Sequence, residues 1–105
     1  MAKQPETLLK ERVLADLRAL PESYAVKIQQ VSIRGIPDIF ACICGCFVAI
    51  ELKRDSKQKP EPLQIHELEK IKGARGIAII VDPDNWPEAL AFLTRLTTNR
   101  PGEES

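Results

Sequence analysis

The chain has 105 residues, 44% hydrophobic and 29% charged, and its 15 Lys and Arg balance 15 Asp and Glu. That length supports one domain with a single modest core and excludes two, and the composition is ordinary for a globular protein rather than a disordered or fibrous one. Zero net charge argues against a dedicated non-specific nucleic-acid binder, which would be basic overall but could still carry a local basic patch. No segment approaches the about 20 apolar residues of a membrane span, and the polar stretch from Met1 to Glu11 has no signal-peptide core, so a cytoplasmic protein without membrane contact is expected.

In chain order, Met1 to Pro5 and Asn99 to Ser105 read as frayed ends around a folded unit of about 6–96. Leu9, Val13, Leu17 and Leu20 recur at helical spacing and predict a helix from Glu6 to Leu20, stopped by Pro21. Glu6 projects onto that apolar stripe one turn before Leu9, where an unpaired carboxylate would be costly unless it simply complements the helix dipole. Glu11 projects well away from the stripe. Alternation from Tyr24 to Ile33 predicts a strand, and Arg34-Gly35 a turn. Asp38 to Cys44 and Phe47 to Lys53 predict two more strands joined by a tight hairpin at Cys44-Gly45-Cys46. In the second of these Val48, Ile50 and Leu52 face one side, and Phe47, Ala49, Glu51 and Lys53 the other.

Arg54 to Pro62 is a charged loop. Leu63 to Lys72 predicts a helix with Leu63, Leu68 and Ile71 inward, ended by Gly73 and Gly76. The apolar run Ile77 to Val81 predicts a strand covered on both faces. Pro87 to Leu96 predicts the last helix, with Leu90, Leu93 and Leu96 inward, Trp86 packed at its start, and Asp84 or Asn85 as its cap. The order α-β-β-β-α-β-α fits a mixed sheet flanked by helices.

The chemistry concentrates in Gly35-Ile36-Pro37-Asp38 and Ile50-Glu51-Leu52-Lys53. Glu51 and Lys53, two apart on a strand, share a face, and Asp38 opens the paired strand behind a proline that fixes its backbone. Two carboxylates, the Leu52 main-chain carbonyl and waters make an oxygen site of the kind Mg²⁺ prefers. A cation there can activate water and neutralise a phosphate, with Lys53 orienting or deprotonating that water or stabilising the developing charge. The same residues also read as a turn aspartate and a solvated strand face. Cys42, Cys44 and Cys46 are odd in number and alternate within one hairpin, so they read as small packed or turn residues rather than as a disulfide framework or a metal cluster.

Taken together, Arg34-Gly35-Ile36-Pro37-Asp38, Ala49-Ile50-Glu51-Leu52-Lys53-Arg54, and Pro62-Leu63-Gln64 leading into His66-Glu67-Leu68 resemble the VRR-NUC (virus-type replication-repair nuclease) domains of the PD-(D/E)xK superfamily. The resemblance runs from about Glu6 to Leu96. It implies a restriction-endonuclease-like fold and a metal-dependent endonuclease using Mg²⁺ or Mn²⁺. It also implies Asp38 and Glu51 as metal ligands, Lys53 as catalytic lysine, Gln64 beside the site, and Glu6 as the helix acid, acting directly or through water. Stand-alone members of this kind imply a homodimer, of phage type, cutting branched DNA such as a Holliday junction or flap during replication, repair or recombination. Arg34, Arg54, Lys57, Lys59, Lys10 and Arg12 are the expected DNA-backbone contacts. The competing readings are a non-catalytic branched-DNA-binding or assembly module on the same fold, and a metal or redox protein built on the cysteines.

Overall fold

A computed structural model describes residues 3–29 and 32–98. Seven elements follow the expected order: α1 (Pro5–Arg18), β1 (Ser23–Lys27), β2 (Ile39–Ile43), β3 (Cys46–Leu52), α2 (Pro62–Gly73), β4 (Ile77–Val81) and α3 (Trp86–Thr94), with a 3-10 turn at Arg95–Thr97. The sheet order is β1-β2-β3-β4. The first three strands are antiparallel and β4 is parallel to β3, the arrangement that α2 makes possible as a crossover. The α/β mixed sheet flanked by helices is therefore the restriction-endonuclease-like architecture.

Pro5 opens α1 at a position where its missing N–H costs nothing, so the helix begins inside the segment read as frayed. It ends at Arg18. The Ser23 hydroxyl, 2.7 and 2.8 Å from the carbonyls of Leu17 and Leu20, then carries the chain into β1. β1 is shorter than its alternation predicted. The ladder stops at Lys27↔Ile39, one further bond joins the Ile28 N–H to the Asp38 carbonyl, and the chain then leaves the sheet. Gln30 and Val31 of the predicted strand lie outside the described residues, as do Met1, Ala2 and 99–105. The β2–β3 hairpin turns on Cys44 and Gly45, both at positive φ (49° and 87°), the turn whose twist matches paired strands.

One face of the sheet carries Ala25, Ile39, Ala41, Ile43, Val48, Ile50 and Leu52. It forms a single cluster with Leu9, Val13, Leu14 and Leu17 of α1 and with Trp86 and Leu93 of α3. Each large side chain buried there contributes about 1.5–3 kcal/mol. Trp86 is fully enclosed, and its indole N–H donates to Asp16 at 2.8 Å. Asn85 holds the N-cap position of α3, but its side-chain oxygen accepts the Asp82 N–H, and Asp82 in turn accepts from the N–H groups of Asp84 and Asn85.

One of these readings needs correction and two need refining. Leu63 is 47% exposed, because α2 turns Gln64, Glu67, Leu68 and Ile71 inward and leaves Leu63 on its flank. α2 ends at Gly73 as read, but the left-handed position beyond it is taken by Arg75 (φ 72°) rather than by a glycine, in a closing motif where the Gly76 and Arg75 N–H groups bond the Ile71 and Lys72 carbonyls. β4 is an edge strand with both faces covered, Ile77, Ile79 and Val81 against the α1–α3 cluster and Ala78 under α2, but Ile80 remains 37% exposed at the margin.

Candidate active site

Strand register builds the site. Ile39 pairs with Ile50, so Asp38, one step earlier, comes level with Glu51. The Asp38 carboxylate accepts the Leu52 N–H at 2.8 Å, and the Asp38 carbonyl accepts the Ile28 N–H. Two bonds thus fix the residue after Pro37. Leu52, expected to contribute through its carbonyl, also orients Asp38 through its amide.

Glu51 on β3 and Lys53 just past its end, where the Lys53 N–H still bonds the Val81 carbonyl, are almost fully enclosed, 3% and 4% exposed. Their ion pair spans 3.3 Å. Gln64 bridges them from the first turn of α2: its amide N–H donates to Glu51 at 2.9 Å, and its carbonyl accepts from Lys53 at 2.8 Å and from the Glu61 N–H at 2.8 Å. One side chain therefore caps its own helix and holds both charged groups of the strand.

Gly35 sets the distance between these parts. Its φ of 88° is one that side chains rarely adopt, and a Cβ there would stand 2.5 Å from the Leu63 carbonyl oxygen. The turn before Asp38 thus seats directly on the backbone that presents Gln64. The Arg34-Gly35 dipeptide signals a turn, but nothing in the sequence spacing indicates this docking.

The electrostatics are those of an incomplete site. Oε1 of Glu51 is buried and has no donor among the described residues. Burial, then the neighbouring Asp38 carboxyl, push the Glu51 pKa up to about 7, against the pull of Lys53. A buried carboxylate with one orphaned oxygen, beside the half-buried Asp38, fits a hard divalent cation, which would supply the missing partner. Among the described residues no three His, Cys, Asp or Glu side chains converge where they would hold a metal ion.

Among solved structures the chain matches a VRR_NUC domain with a TM-score of 0.70 and 19% identity, covering 92% of this chain and 98% of that one. The fold is that of a VRR-NUC domain. No family model and no curated protein matches the sequence. The shared property is the path of the backbone, and the VRR-NUC fold accounts for how Asp38, Glu51, Lys53 and Gln64 meet at one end of the sheet.

Around that end the VRR-NUC fold opens a cleft of about 370 Å³ lined by Gln4, Pro5, Glu6, Thr7, Lys10, Asp38, Leu52 and Arg54. Glu6 lines it from the first turn of α1. It is exposed rather than on a buried stripe, and it completes no three-carboxylate cluster among the described residues. Glu11 is paired with Lys3 at 2.7 Å and takes no part in the lining. Of the basic residues, Lys10 and Arg54 reach the cleft, whereas Arg12, Arg34, Lys57 and Lys59 are exposed outside its lining. The Arg54–Lys59 loop is locally ordered by Asp55, whose carboxylate accepts the N–H groups of Lys57 and Gln58.

The cysteines do not share a site. Cys42 is exposed on the Phe47 side of the sheet, Cys46 pairs with Ile43 toward the other face, and Cys44 occupies the turn with its thiol 3.5 Å from the Pro21 carbonyl. Among the described residues no helix is long and apolar enough to cross a membrane.

Proposed function

We propose that this protein is a Mg²⁺- or Mn²⁺-dependent, structure-selective DNA endonuclease that works in the cytoplasm as a homodimer on branched DNA. The observation that carries the reading is the Asp38–Glu51–Lys53–Gln64 constellation, with Glu51 and Lys53 enclosed and one Glu51 oxygen orphaned. Asp38, Glu51 and the Leu52 carbonyl would hold the cation, with Glu6 reaching it through water. The cation would supply a more acidic water and charge neutralisation at the phosphate.

The chain's own residues do the rest. Lys53, held by Gln64 and Glu51, presents an ammonium at the reacting phosphate, where it orients the attacking water or stabilises developing negative charge. Gln64 keeps Lys53 and Glu51 in fixed rotamers, which is the positioning on which rate depends most steeply. Lys10 and Arg54 in the cleft, with Arg12, Arg34, Lys57 and Lys59 around it, hold the sugar–phosphate backbone without reading bases.

The test is incubation with a four-way junction, a flap and a plain duplex, with and without Mg²⁺ or Mn²⁺. Cation-dependent cleavage of a branched substrate, lost in Glu51→Ala, is expected. Folded protein that cuts none of them would end this reading. Branched-DNA binding that survives Glu51→Ala and Lys53→Ala without cleavage would establish the non-catalytic module instead.

A further inference from the structure

The α1–α3 layer covers one face of the sheet, and α2 lies over β3 and β4 on the other. Among the described residues that second face stays open beside α2. Register places Tyr24, Cys42 and Phe47 in one row across β1, β2 and β3, with Val26 and Phe40 in the next. Tyr24 is 68% and Phe47 42% exposed, Cys42 is exposed, Val26 and Phe40 are half-buried, and Phe40 and Phe47 stack edge to face at 5.3 Å. Of the β1–β3 side chains directed to this face, none is charged before Glu51, which α2 encloses.

We infer that this open face is where a second copy of the chain docks. Aromatic side chains bury about 150–250 Å² each, so the patch leaves roughly 300 Å² of apolar surface uncovered per copy, the size at which a patch on a small protein marks an interaction site. Two such patches supply about 600 Å² of apolar surface, the core of the about 1,200 Å² total at which specific pairing begins, and the polar rims would have to bury the rest. A patch without charge meets its own copy without repulsion, and open sheet faces stack naturally about 10 Å apart. It offers no cation to nucleic acid and no charge pattern to select a different protein. Under two-fold symmetry the patch centre faces itself, which brings Cys42 opposite the Cys42 of the second copy. The inference names the contact surface of the proposed homodimer, and its test reads mass and cross-linking, so it stands or falls separately from nuclease activity.

The mass of the protein in solution is measured by light scattering on a sizing column from micromolar to hundreds of micromolar. The expected result is twice the chain mass, reduced to the single-chain mass by Tyr24→Glu and by Phe47→Glu. Circular dichroism checks that both variants fold, and Tyr24, the more exposed, is the safer of the two. In a Cys44→Ser, Cys46→Ser background, a short bis-maleimide should join Cys42 to its copy, and Tyr24→Glu should abolish the product at least tenfold. A wild-type protein that stays single-chain throughout, a pair that persists in both glutamate variants, or a pair that leaves Cys42 uncoupled would each overturn the proposal.

Discussion

Glu51 is the residue whose chemistry is furthest from its ordinary state. Its folded pKa of about 7, against an ordinary 4.5, means the fold binds its proton more tightly than the unfolded chain does. The stabilisation from that proton is complete below pH 4.5 and is lost as pH rises through about 7, a few kcal/mol at most at 1.36 kcal/mol per pKa unit. In EDTA, the wild-type melting temperature should therefore fall between pH 5 and pH 8, and Glu51→Gln should flatten that slope. At pH 8, Mg²⁺ or Mn²⁺ at a hundred times its dissociation constant should restore about 2.7 kcal/mol to the wild type and nothing to Glu51→Gln. An unchanged pH slope in Glu51→Gln would remove Glu51 as its source. Some of this site was legible at the residue scale: strand alternation put Glu51 and Lys53 on one face, and the hairpin brought Asp38 level with them. The bridge through Gln64 was not, because residues 11 and 13 positions from it in sequence are joined only by the docking of a helix. Its place beside the site came from the family resemblance.

Elements were readable where punctuation is strong and misread where it is weak. Pro21, Cys44-Gly45, Pro62 and Pro87 bracket their segments, and the element order follows from them. An apolar run such as Ile77–Val81 looks the same at the centre of a sheet and at its edge, so periodicity could not place β4 or foresee the exposure of Ile80. Leu63 and Glu6 both sit in the first turn of a helix, where a stripe drawn for the whole helix overruns the surface it covers. The junction of two elements at Gly35 supplies a sharper test. Gly35→Ala combines an unfavourable φ with a Cβ 2.5 Å from the Leu63 carbonyl oxygen, a cost of about 1–3 kcal/mol, and it should displace Asp38 from Gln64. Cleavage should fall at least tenfold under conditions where the variant is still folded. Gly45→Ala, with a similar φ and no atom within 4 Å, should lose about 1 kcal/mol and keep its activity. Equal activity in the two variants would show that the turn does not position the site.

For the whole molecule, charge is balanced in number, and Lys10 and Arg54 bring two of the chain's positive charges to the cleft beside Glu6 and Asp38. Binding to branched DNA should therefore weaken steeply with salt despite that neutrality. Each phosphate contact removed should lower the slope of log K against log salt by about 0.9. Lys57→Ala with Lys59→Ala should reduce that slope by about two if both residues touch backbone, and leave it unchanged if the loop is only solvated.

The bridge made by Gln64 also orders events in time. The β2–β3 hairpin closes over two residues, whereas β4 reaches β3 only after α2 has crossed, and short loops close first. The helix that encloses Glu51 and Lys53 is therefore expected to dock late in folding. Leu68→Ala in α2 should accelerate unfolding in stopped-flow chevrons and leave refolding nearly unchanged, while Ile43→Val in the hairpin should slow refolding. On that order the glutamate and lysine would stay hydrated until α2 docks, and the chain would give up the water around its most costly charges only as the Gln64 groups that replace it arrive.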